Sequence, residues 1–171
     1  MPGDGPELHA AVGESIGELL PWMPWTTEHG TVEESESSAR VARVRFLERT
    51  ELRMHLYLKG TGTLVGSSGL HRIDWEVPKF EIGYWCRTRF SGHGYTTEAV
   101  RGIASFAFDT LGAKRVEIRC DPLNRPRARV AARGGFRLEG ELRNDARGTD
   151  GTLRNTLVFS AVPPGPAGPT P

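Results

Sequence analysis

The sequence predicts a single α+β domain whose core is a mixed, mostly antiparallel sheet. Three segments have the two-residue apolar period of strands and are separated by short turns: residues 52–59, 63–73 and 80–87. Residues 80–120 read as strand, helix and strand, the order of a parallel crossover. Residues 136–145 and 152–162 form a final antiparallel pair. These patterns indicate antiparallel strands arranged around one parallel connection.

Length and charge limit the class of protein. A chain of 171 residues can bury one core, so we expect one domain over residues 1–162 and a disordered Pro/Gly-rich tail over 163–171. A net charge of +1 provides no broad electrostatic field for nucleic acid or an anionic membrane. No apolar run reaches membrane-spanning length, and the acidic N-terminal segment does not resemble a signal peptide. These features predict a cytoplasmic protein that binds neither nucleic acid nor membranes.

Cysteine and histidine are too sparse to build a disulfide framework or a metal centre. The two cysteines, Cys86 and Cys120, are expected to be reduced and close to strand ends. The five histidines include no pair at ligand spacing, and no Cys/His cluster accompanies them. The sequence therefore predicts no metal site.

The N-terminal third is predicted to form two amphipathic helices. The first covers residues 5–20 and follows Asp4, a favourable residue for capping a helix N-terminus. The second begins with glutamates that complement the helix dipole. Its predicted apolar stripe consists of Val41, Val44 and Leu47.

Residues 80–100 carry the strongest functional signal in the chain. A strand with alternating apolar positions runs through a glycine-containing loop directly into a helix. The start of a helix has unpaired N–H groups and the positive end of the helix dipole. Gly92 and Gly94 allow the main chain to approach an anion closely, because they have no Cβ. The stretch therefore predicts a phosphate-binding loop.

Glycine spacing separates three kinds of phosphate loop. A dinucleotide-binding fingerprint needs glycine where Thr97 stands, and a Walker loop needs a Gly-Lys-Ser/Thr triplet that does not follow. What is left is the segment Ser91-Gly92-His93-Gly94-Tyr95-Thr96, followed by Thr97-Glu98-Ala99. This segment resembles the pyrophosphate loop of the GNAT acetyltransferases, in their RimJ/RimL-like branch. Ser91 and Thr96 depart from the family pattern, but main-chain N–H groups make the implied contacts and tolerate both changes.

A second motif supports the same resemblance. Residues 124–136 are similar to the family's Asn-x-x-Ser-x-x-Val-Ala-x-x-x-Gly-Phe, beginning at Asn124 and ending at Phe136. Arg127 stands where the family has serine. Two separated motifs in the family's order arise by chance far less often than one, so the chain is identified as a member of the GNAT superfamily.

The resemblance implies a particular fold and co-substrate. The sheet is expected to be splayed at the cofactor site, with helices on both faces. Relatives carry a strand before the first helix, so here either the sheet edge is shortened or the chain starts further upstream. The implied co-substrate is acetyl-CoA, and a homodimer is expected. The residues implied to bind acetyl-CoA are Trp85, Cys86, Arg87, Ser91, Gly92, His93, Gly94, Tyr95, Thr96, Asn124 and Arg127.

Acetyl transfer to an amine requires a bound donor, a neutral amine, a stabilised oxyanion and a protonated leaving thiolate. By resemblance, a strand N–H near Trp85 or Cys86 stabilises the oxyanion, and Asn124 hydrogen-bonds the donor near the thioester. Glu81 is the nominated base, acting through water, although it could instead be a structural partner of a neighbouring arginine. Arg127 cannot act as an ordinary acid because a guanidinium keeps its proton, but its charge can stabilise a thiolate or a phosphate.

The acceptor amine is open at this stage. Trp22 and Trp25 lie in a proline-bounded segment similar to one near the acceptor side of RimJ/RimL-like enzymes, so they either line the acceptor site or cover the core. An α-amine has an ordinary pKa of about 8 and a lysine amine one of about 10.4, so weak base assistance favours an N-terminal amine. Three functions stay open: an acetyltransferase for protein or peptide N-termini, an acetyltransferase for small amines such as aminoglycosides or polyamines, and an acyl-CoA-binding module without turnover.

Overall fold

A computed structural model describes residues 1–23 and 30–163. The helices of this part are α1 (Gly5–Leu19), α2 (Val32–Leu47), α3 (Tyr95–Ser105) and α4 (Arg125–Arg133). Its strands are β1 (Leu52–Tyr57), β2 (Leu64–Asp74), β3 (Lys79–Cys86), β4 (Arg115–Cys120), β5 (Arg137–Arg147) and β6 (Leu153–Ala161). A π-helical turn, Phe106–Thr110, extends α3. Trp25 and the tail from residue 164 onward lie outside the described residues.

The six strands form one sheet in the order β1-β2-β3-β4-β6-β5. Every neighbouring pair is antiparallel except β3 and β4, which are parallel. The mixed, mostly antiparallel sheet and the parallel connection through α3 are therefore confirmed. Within the described residues α1 is the first element, so no strand precedes it there and β1 lies at the sheet edge.

The two parallel strands separate after a short paired stretch. Residues 79–81 of β3 pair with residues 115–117 of β4. Beyond that point β3 continues to Cys86 and β4 to Cys120, but the two strands no longer pair with each other. The sheet is thus splayed as expected, and it leaves a gap between the last residues of β3 and β4 that leads towards the start of α3.

Helices cover both faces of β3. Phe80, Ile82 and Tyr84 are buried in the larger core, which they share with α3. On the opposite face Trp85 packs against a smaller cluster formed by Leu8, Ala11, Ala39 and Leu64. The alternating pattern predicts a half-buried strand, but α1 and α2 also cover the second face. Glu81, which lies on this second face, is buried as well.

The apolar stripe predicted for α2 is wrong. Val41, Val44 and Leu47 are exposed, and the buried residues of the helix are Ala39 and Ala42. The reason is the close approach of α1, since a Cβ on Gly5 would lie 2.6 Å from Cβ of Glu36. Small side chains allow this contact, whereas valine and leucine would hold the two helices apart.

The helix caps differ from the predicted ones. Asp4 occupies the N-cap position of α1, but its side chain makes no capping hydrogen bond. Its carboxylate instead contacts the N-terminal ammonium group and lies 3.6 Å from Nε2 of His55. The start of α2 carries a capping box: Thr31 Oγ1 accepts from the Glu34 N–H, and Glu34 accepts from the Thr31 N–H at 2.7 Å.

Replacing Thr31 with alanine is expected to destabilise the protein by about 1 kcal/mol, because one N–H at the start of α2 loses its partner. For a chain of this size that loss lowers Tm by about 2–4 °C, measured by circular dichroism. Ser37→Ala is the matched control, since Ser37 is exposed inside the same helix. A Tm of the Thr31→Ala variant equal to that of the control would show that the cap contributes nothing.

Candidate active site

The site consists of the β3–β4 gap and an adjoining cleft with a volume of about 1220 Å³. Parts of β1, β2, β3, the end of β4 and the β5–β6 hairpin line this cleft, together with residues of α1 and α2. Of the two tryptophans predicted to meet the acceptor, Trp22 lines the cleft. Trp25 lies outside the described residues.

The predicted phosphate loop has unpaired main-chain donors. Gly92 and Gly94 have φ values of +83° and +87°, and Gly94 is the N-cap of α3. Apart from the glycine itself and its chain neighbours, no heavy atom lies within 4 Å of a Cβ built at either position. Within the described residues, the main-chain N–H groups of residues 92–97 donate no hydrogen bond, and the Glu98 N–H is the first to bond back. A run of free donors at a helix N-terminus is suited to bind an anion.

Side chains of the same loop hold its shape. The His93 ring stacks on Tyr95, with centroids 5.7 Å apart, and its Nδ1 lies 3.0 Å from the Ser91 carbonyl. Burial raises the pKa of the Cys86 thiol, although hydrogen bonds with Thr96 and Ser91 oppose the change. Cys86 is therefore a protonated thiol beside the loop and not an activated nucleophile.

Arg127 bridges the two strands where they part. Its Nη1 donates to the Tyr84 carbonyl on β3 at 2.9 Å, and its Nε donates to the Arg119 carbonyl on β4 at 3.2 Å. Its guanidinium lies 4.4 Å from the Tyr84 ring centroid, and the Tyr84 hydroxyl donates to the Arg127 carbonyl at 2.9 Å. The arginine side chain therefore continues the connection between the strands after their direct pairing has ended.

The orientation of β3 decides which N–H can stabilise an oxyanion. The Arg87 N–H donates to Val65 on the β2 side at 2.7 Å, while the Tyr84 carbonyl points into the gap. In a strand, the main-chain N–H and carbonyl of one residue face the same edge, and those of the next residue face the opposite edge. The Cys86 N–H therefore faces the gap, and the Trp85 N–H faces β2. Of the two predicted oxyanion donors, the geometry favours Cys86.

This orientation bears on two of the predicted acetyl-CoA contacts. The main-chain N–H and carbonyl of Arg87 are both used within the protein, and its guanidinium pairs with Glu14 on α1 at 2.7 Å. Arg87 therefore connects β3 to α1, and its main-chain N–H and carbonyl already have partners within the protein. The main chain of Trp85 faces β2, and its side chain lines the cleft.

Asn124 is part of the framework of the site. It is the N-cap of α4, and its Oδ1 accepts from the Arg127 N–H at 3.1 Å. The side chain is buried but borders the cleft. Within the described part of the chain its Nδ2 forms no hydrogen bond, so the amide N–H₂ is the group that could contact a bound donor.

Glu81 lies in the cleft with both carboxylate oxygens engaged. Its Oε1 is 3.3 Å from Nε2 of His71, and its Oε2 is 3.3 Å from a guanidinium nitrogen of Arg72. Burial alone would raise the pKa of Glu81, but the His71 hydrogen bond and the charges of His71, Arg72 and Arg119 outweigh it and hold the pKa below its usual value. Glu81 is therefore an ionised carboxylate with two partners.

The sequence reasoning missed His71 and Arg72. The position of His71 follows from the register of the β2–β3 hairpin, which places it directly opposite Glu81. Counting alternate residues back from the turn at 74–79 could have put the two side chains on one face. No comparable signal exists for Arg72, because a register irregularity after His71 redirects it.

A comparison with known proteins then decides the family. The model of the family described as "Acetyltransferase (GNAT) domain" matches residues 3–137. This chain belongs to the GNAT acetyltransferase family. The splayed sheet and the loop before α3 are those of the GNAT fold, so the resemblance of the two motifs is confirmed.

Several relatives of the chain are known by sequence. "Uncharacterized N-acetyltransferase p20" of Bacillus licheniformis is 31% identical over 116 residues, which cover 68% of this chain and 65% of that protein. "Putative ribosomal N-acetyltransferase YdaF" of Bacillus subtilis is 39% identical over 102 residues, covering 59% and 55%. The chain thus spans less than two thirds of these two proteins. "Ribosomal-protein-serine acetyltransferase" of Escherichia coli is 26% identical over 155 residues, covering 82% and 86%.

Solved structures show the same fold. The microcin C7 self-immunity acetyltransferase MccE, in complex with acetyl-CoA and AMP, has a TM-score of 0.86 at 23% identity and covers 95% of this chain and 89% of that one. RimL, a ribosomal L7/L12 α-N-protein acetyltransferase in complex with coenzyme A, has a TM-score of 0.87 at 18% identity and covers 95% and 90%. These relatives and neighbours agree with the RimJ/RimL-like branch indicated by the loop.

The described residues contain no group of three or more histidine, cysteine, aspartate or glutamate side chains placed to hold a metal ion. Among them there is also no helix with the length and apolar character needed to cross a bilayer.

Proposed function

We propose that this GNAT protein is an acetyl-CoA-dependent N-acetyltransferase whose acceptor is the α-amine of a protein or peptide N-terminus. The observation that carries the proposal is the run of free main-chain N–H groups at residues 92–97, which lies where the gap between β3 and β4 opens. These donors suit the pyrophosphate of acetyl-CoA. The gap beside Cys86 suits its extended arm, which can add to the edge of β3.

In this proposal acetyl-CoA supplies an activated thioester, and the chain positions it. The Cys86 N–H donates to the carbonyl oxygen as negative charge develops there. The amine nitrogen forms the new C–N bond, and the C–S bond breaks with its electron pair on sulfur. The guanidinium of Arg127, at the mouth of the gap, stabilises that thiolate by charge where relatives have a hydroxyl. Glu81 and its partners assist removal of the amine proton.

An N-terminal α-amine fits this site better than a lysine side chain. The carboxylate of Glu81 is held ionised by two partners, which makes it a weak proton acceptor. An amine with an ordinary pKa of about 8 is already partly neutral at pH 7, whereas lysine is almost entirely charged. The names of YdaF and of the Escherichia coli relative agree with a ribosomal-protein acceptor.

A small-molecule amine is the second candidate acceptor. The cleft is wide, with a volume of about 1220 Å³, and the structural neighbour MccE is described in complex with acetyl-CoA and AMP. The third candidate function is binding of acyl-CoA without turnover, because Arg127 stands in place of the family's hydroxyl residue. Both are separated from the first by one experiment.

Calorimetric titration with acetyl-CoA, followed by a free-thiol assay in the same sample, tests the proposal. The acceptors are a serine-initiated peptide, the same peptide with an acetylated N-terminus and an internal lysine, spermidine and an aminoglycoside. Thiol release with the free N-terminus alone supports the proposal, and release with small amines alone supports the second candidate. Binding without release indicates an inactive module, whereas the absence of binding would contradict the assignment of the loop.

Trp22→Ala is expected to raise KM for the acceptor peptide by about tenfold, because a large aromatic surface of the cleft is removed. The affinity for acetyl-CoA, measured by calorimetry, should stay within twofold of wild type. If KM for the peptide does not change, Trp22 covers the core and is not part of the acceptor site.

The family resemblance also leads us to propose a homodimer located in the cytoplasm. Mass measurement by light scattering on the purified protein decides between monomer and dimer. The proposed chemistry does not depend on this result, because every group invoked above comes from one chain.

A further inference from the structure

His71, one of the two partners of Glu81, lines the cleft. His71 on β2 is the cross-strand partner of Glu81 on β3, and the two side chains are 3.3 Å apart. The side chain of His71 is 36% exposed and lines the cleft. Its Nδ1 forms no hydrogen bond within residues 1–23 and 30–163, so one ring nitrogen can meet an acceptor or a water.

The ring leans along β3 towards the thioester end of the gap. A Cβ built on Gly83 would lie 2.8 Å from Cε1 of His71, so glycine at this position leaves room for the imidazole. Gly83 is two residues further along β3 than Glu81. At a strand rise of about 3.4 Å per residue, the ring therefore stands about 7 Å nearer to Cys86 than the Glu81 main chain does.

Arg72, the second partner of Glu81, has an unusual backbone conformation. Arg72 has φ +48°, a left-handed conformation that a residue with a side chain seldom adopts, and it sits at the register irregularity between β2 and β3. This conformation accompanies the contact of its guanidinium with Glu81. A carboxylate bonded on one oxygen to an arginine and on the other to an imidazole is placed to orient that imidazole.

We propose that His71 is the general base of the reaction and that Glu81 is its positioning residue. The proposal rests on the acetyltransferase function proposed above. As the amine nitrogen bonds to the carbonyl carbon, its proton passes to Nδ1 of His71, directly or through one water. The electron pair of the breaking C–S bond goes to sulfur. The imidazolium then returns its proton to solvent, and Glu81 stabilises its positive charge meanwhile.

Other charged groups surround this pair. Arg119 on β4 acts on Glu81 and is paired with Asp145 on β5 at 2.8 Å. Glu51 directly precedes β1, and Arg53 lies on it. Both side chains line the same cleft and are paired with each other at 3.3 Å. Their charges largely compensate. The direct charged contacts of the pair are those of Glu81 with His71 and of Glu81 with Arg72.

The test compares His71→Ala, His71→Gln and Arg72→Gln with wild type, using acetyl-CoA and the amine acetylated best by the wild-type protein. Both His71 variants should lower kcat by about 100-fold or more, with KM for the amine and acetyl-CoA affinity within threefold of wild type. Added imidazole should restore part of the activity of His71→Ala. Arg72→Gln should lower kcat less and show no response to imidazole, because it removes no proton acceptor.

The pH dependence separates the histidine from the carboxylate. If His71 is the base, the acid limb of kcat/KM disappears in His71→Gln and persists in Glu81→Gln, which keeps the imidazole. Gly83→Ala should also lower kcat by displacing the ring. His71 variants that keep wild-type kcat and pH profile, or loss of the acid limb in Glu81→Gln alone, would overturn the assignment.

Failure of the general-base assignment can be told from failure of the enzyme function. Wild-type protein that binds acetyl-CoA but acetylates no amine contradicts the proposed function and this assignment with it. Active His71 variants contradict the assignment alone. Should His71→Ala fold poorly, judged by its circular dichroism spectrum, His71→Gln and Gly83→Ala provide the same comparison with smaller changes in packing.

Discussion

Replacing Gly94 with leucine is expected to abolish binding of acetyl-CoA, with Kd raised by at least 100-fold. A side chain at this N-cap position projects into the open space in front of the free N–H groups at residues 92–97, where a phosphate would have to approach. The substitution also disfavours the left-handed conformation of Gly94, at φ +87°. Both effects act on the loop, so calorimetric titration with acetyl-CoA measures them directly.

Gly112→Leu is the matched control for this experiment. Gly112 has φ +71° and no protein atom within 4 Å of a Cβ, so it imposes a similar backbone cost of about 1–2 kcal/mol. It lies at the other end of the α3 segment, away from the loop. The two variants should have similar Tm values, and only Gly94→Leu should lose binding. Unchanged affinity in Gly94→Leu would show that the loop does not hold the donor.

Removing the side chain of Arg127 is expected to destabilise the protein and to weaken the site together. Arg127→Ala loses two hydrogen bonds to strand carbonyls and the contact with the Tyr84 ring. For a partly exposed group this loss is about 3 kcal/mol, which lowers Tm by about 6–12 °C. Because the gap between β3 and β4 loses its bridge and its positive charge, kcat should fall by about tenfold or more.

Arg127→Ser distinguishes the role of Arg127 in connecting β3 and β4 from its role in acetyl transfer. It should be as unstable as Arg127→Ala, because serine cannot span the two strands. It should nevertheless recover part of kcat, because it restores the hydroxyl of the family motif. Arg125→Ala serves as the control, since Arg125 is exposed on the same helix. A Tm of Arg127→Ala equal to that of Arg125→Ala would show that the bridge does not stabilise the sheet.

The contrast between the loop and α2 shows which predictions local sequence can support. The donors at residues 92–97 follow from two glycines and an adjacent helix start, which all lie within one short stretch. The buried face of α2 depends on another helix, α1, whose close approach at Gly5 admits Ala39 and excludes Val41. Apolar periodicity identified the helix but could not identify the neighbour that selects its buried face.

Arg127 and Glu81 show the same limit within the site. The motif placed Arg127 near the donor, yet its bond to the Tyr84 carbonyl depends on the separation of two parallel strands. The alternation of β3 placed Glu81 on the cleft face, yet its pairing with His71 depends on the register of a hairpin. Each contact joins residues that are distant in sequence, so neither motif contains it.

The sequence by itself determined the order of strands and helices, the family and the glycine loop that opens α3, because each rests on contiguous residues and on local backbone preferences. Only the tertiary structure decided that Cys86 and not Trp85 faces the gap, that Arg87 is bound to α1, and that Arg127 bridges the strands. These facts depend on strand register and helix packing. Both are set by contacts between distant segments, which a linear pattern does not record.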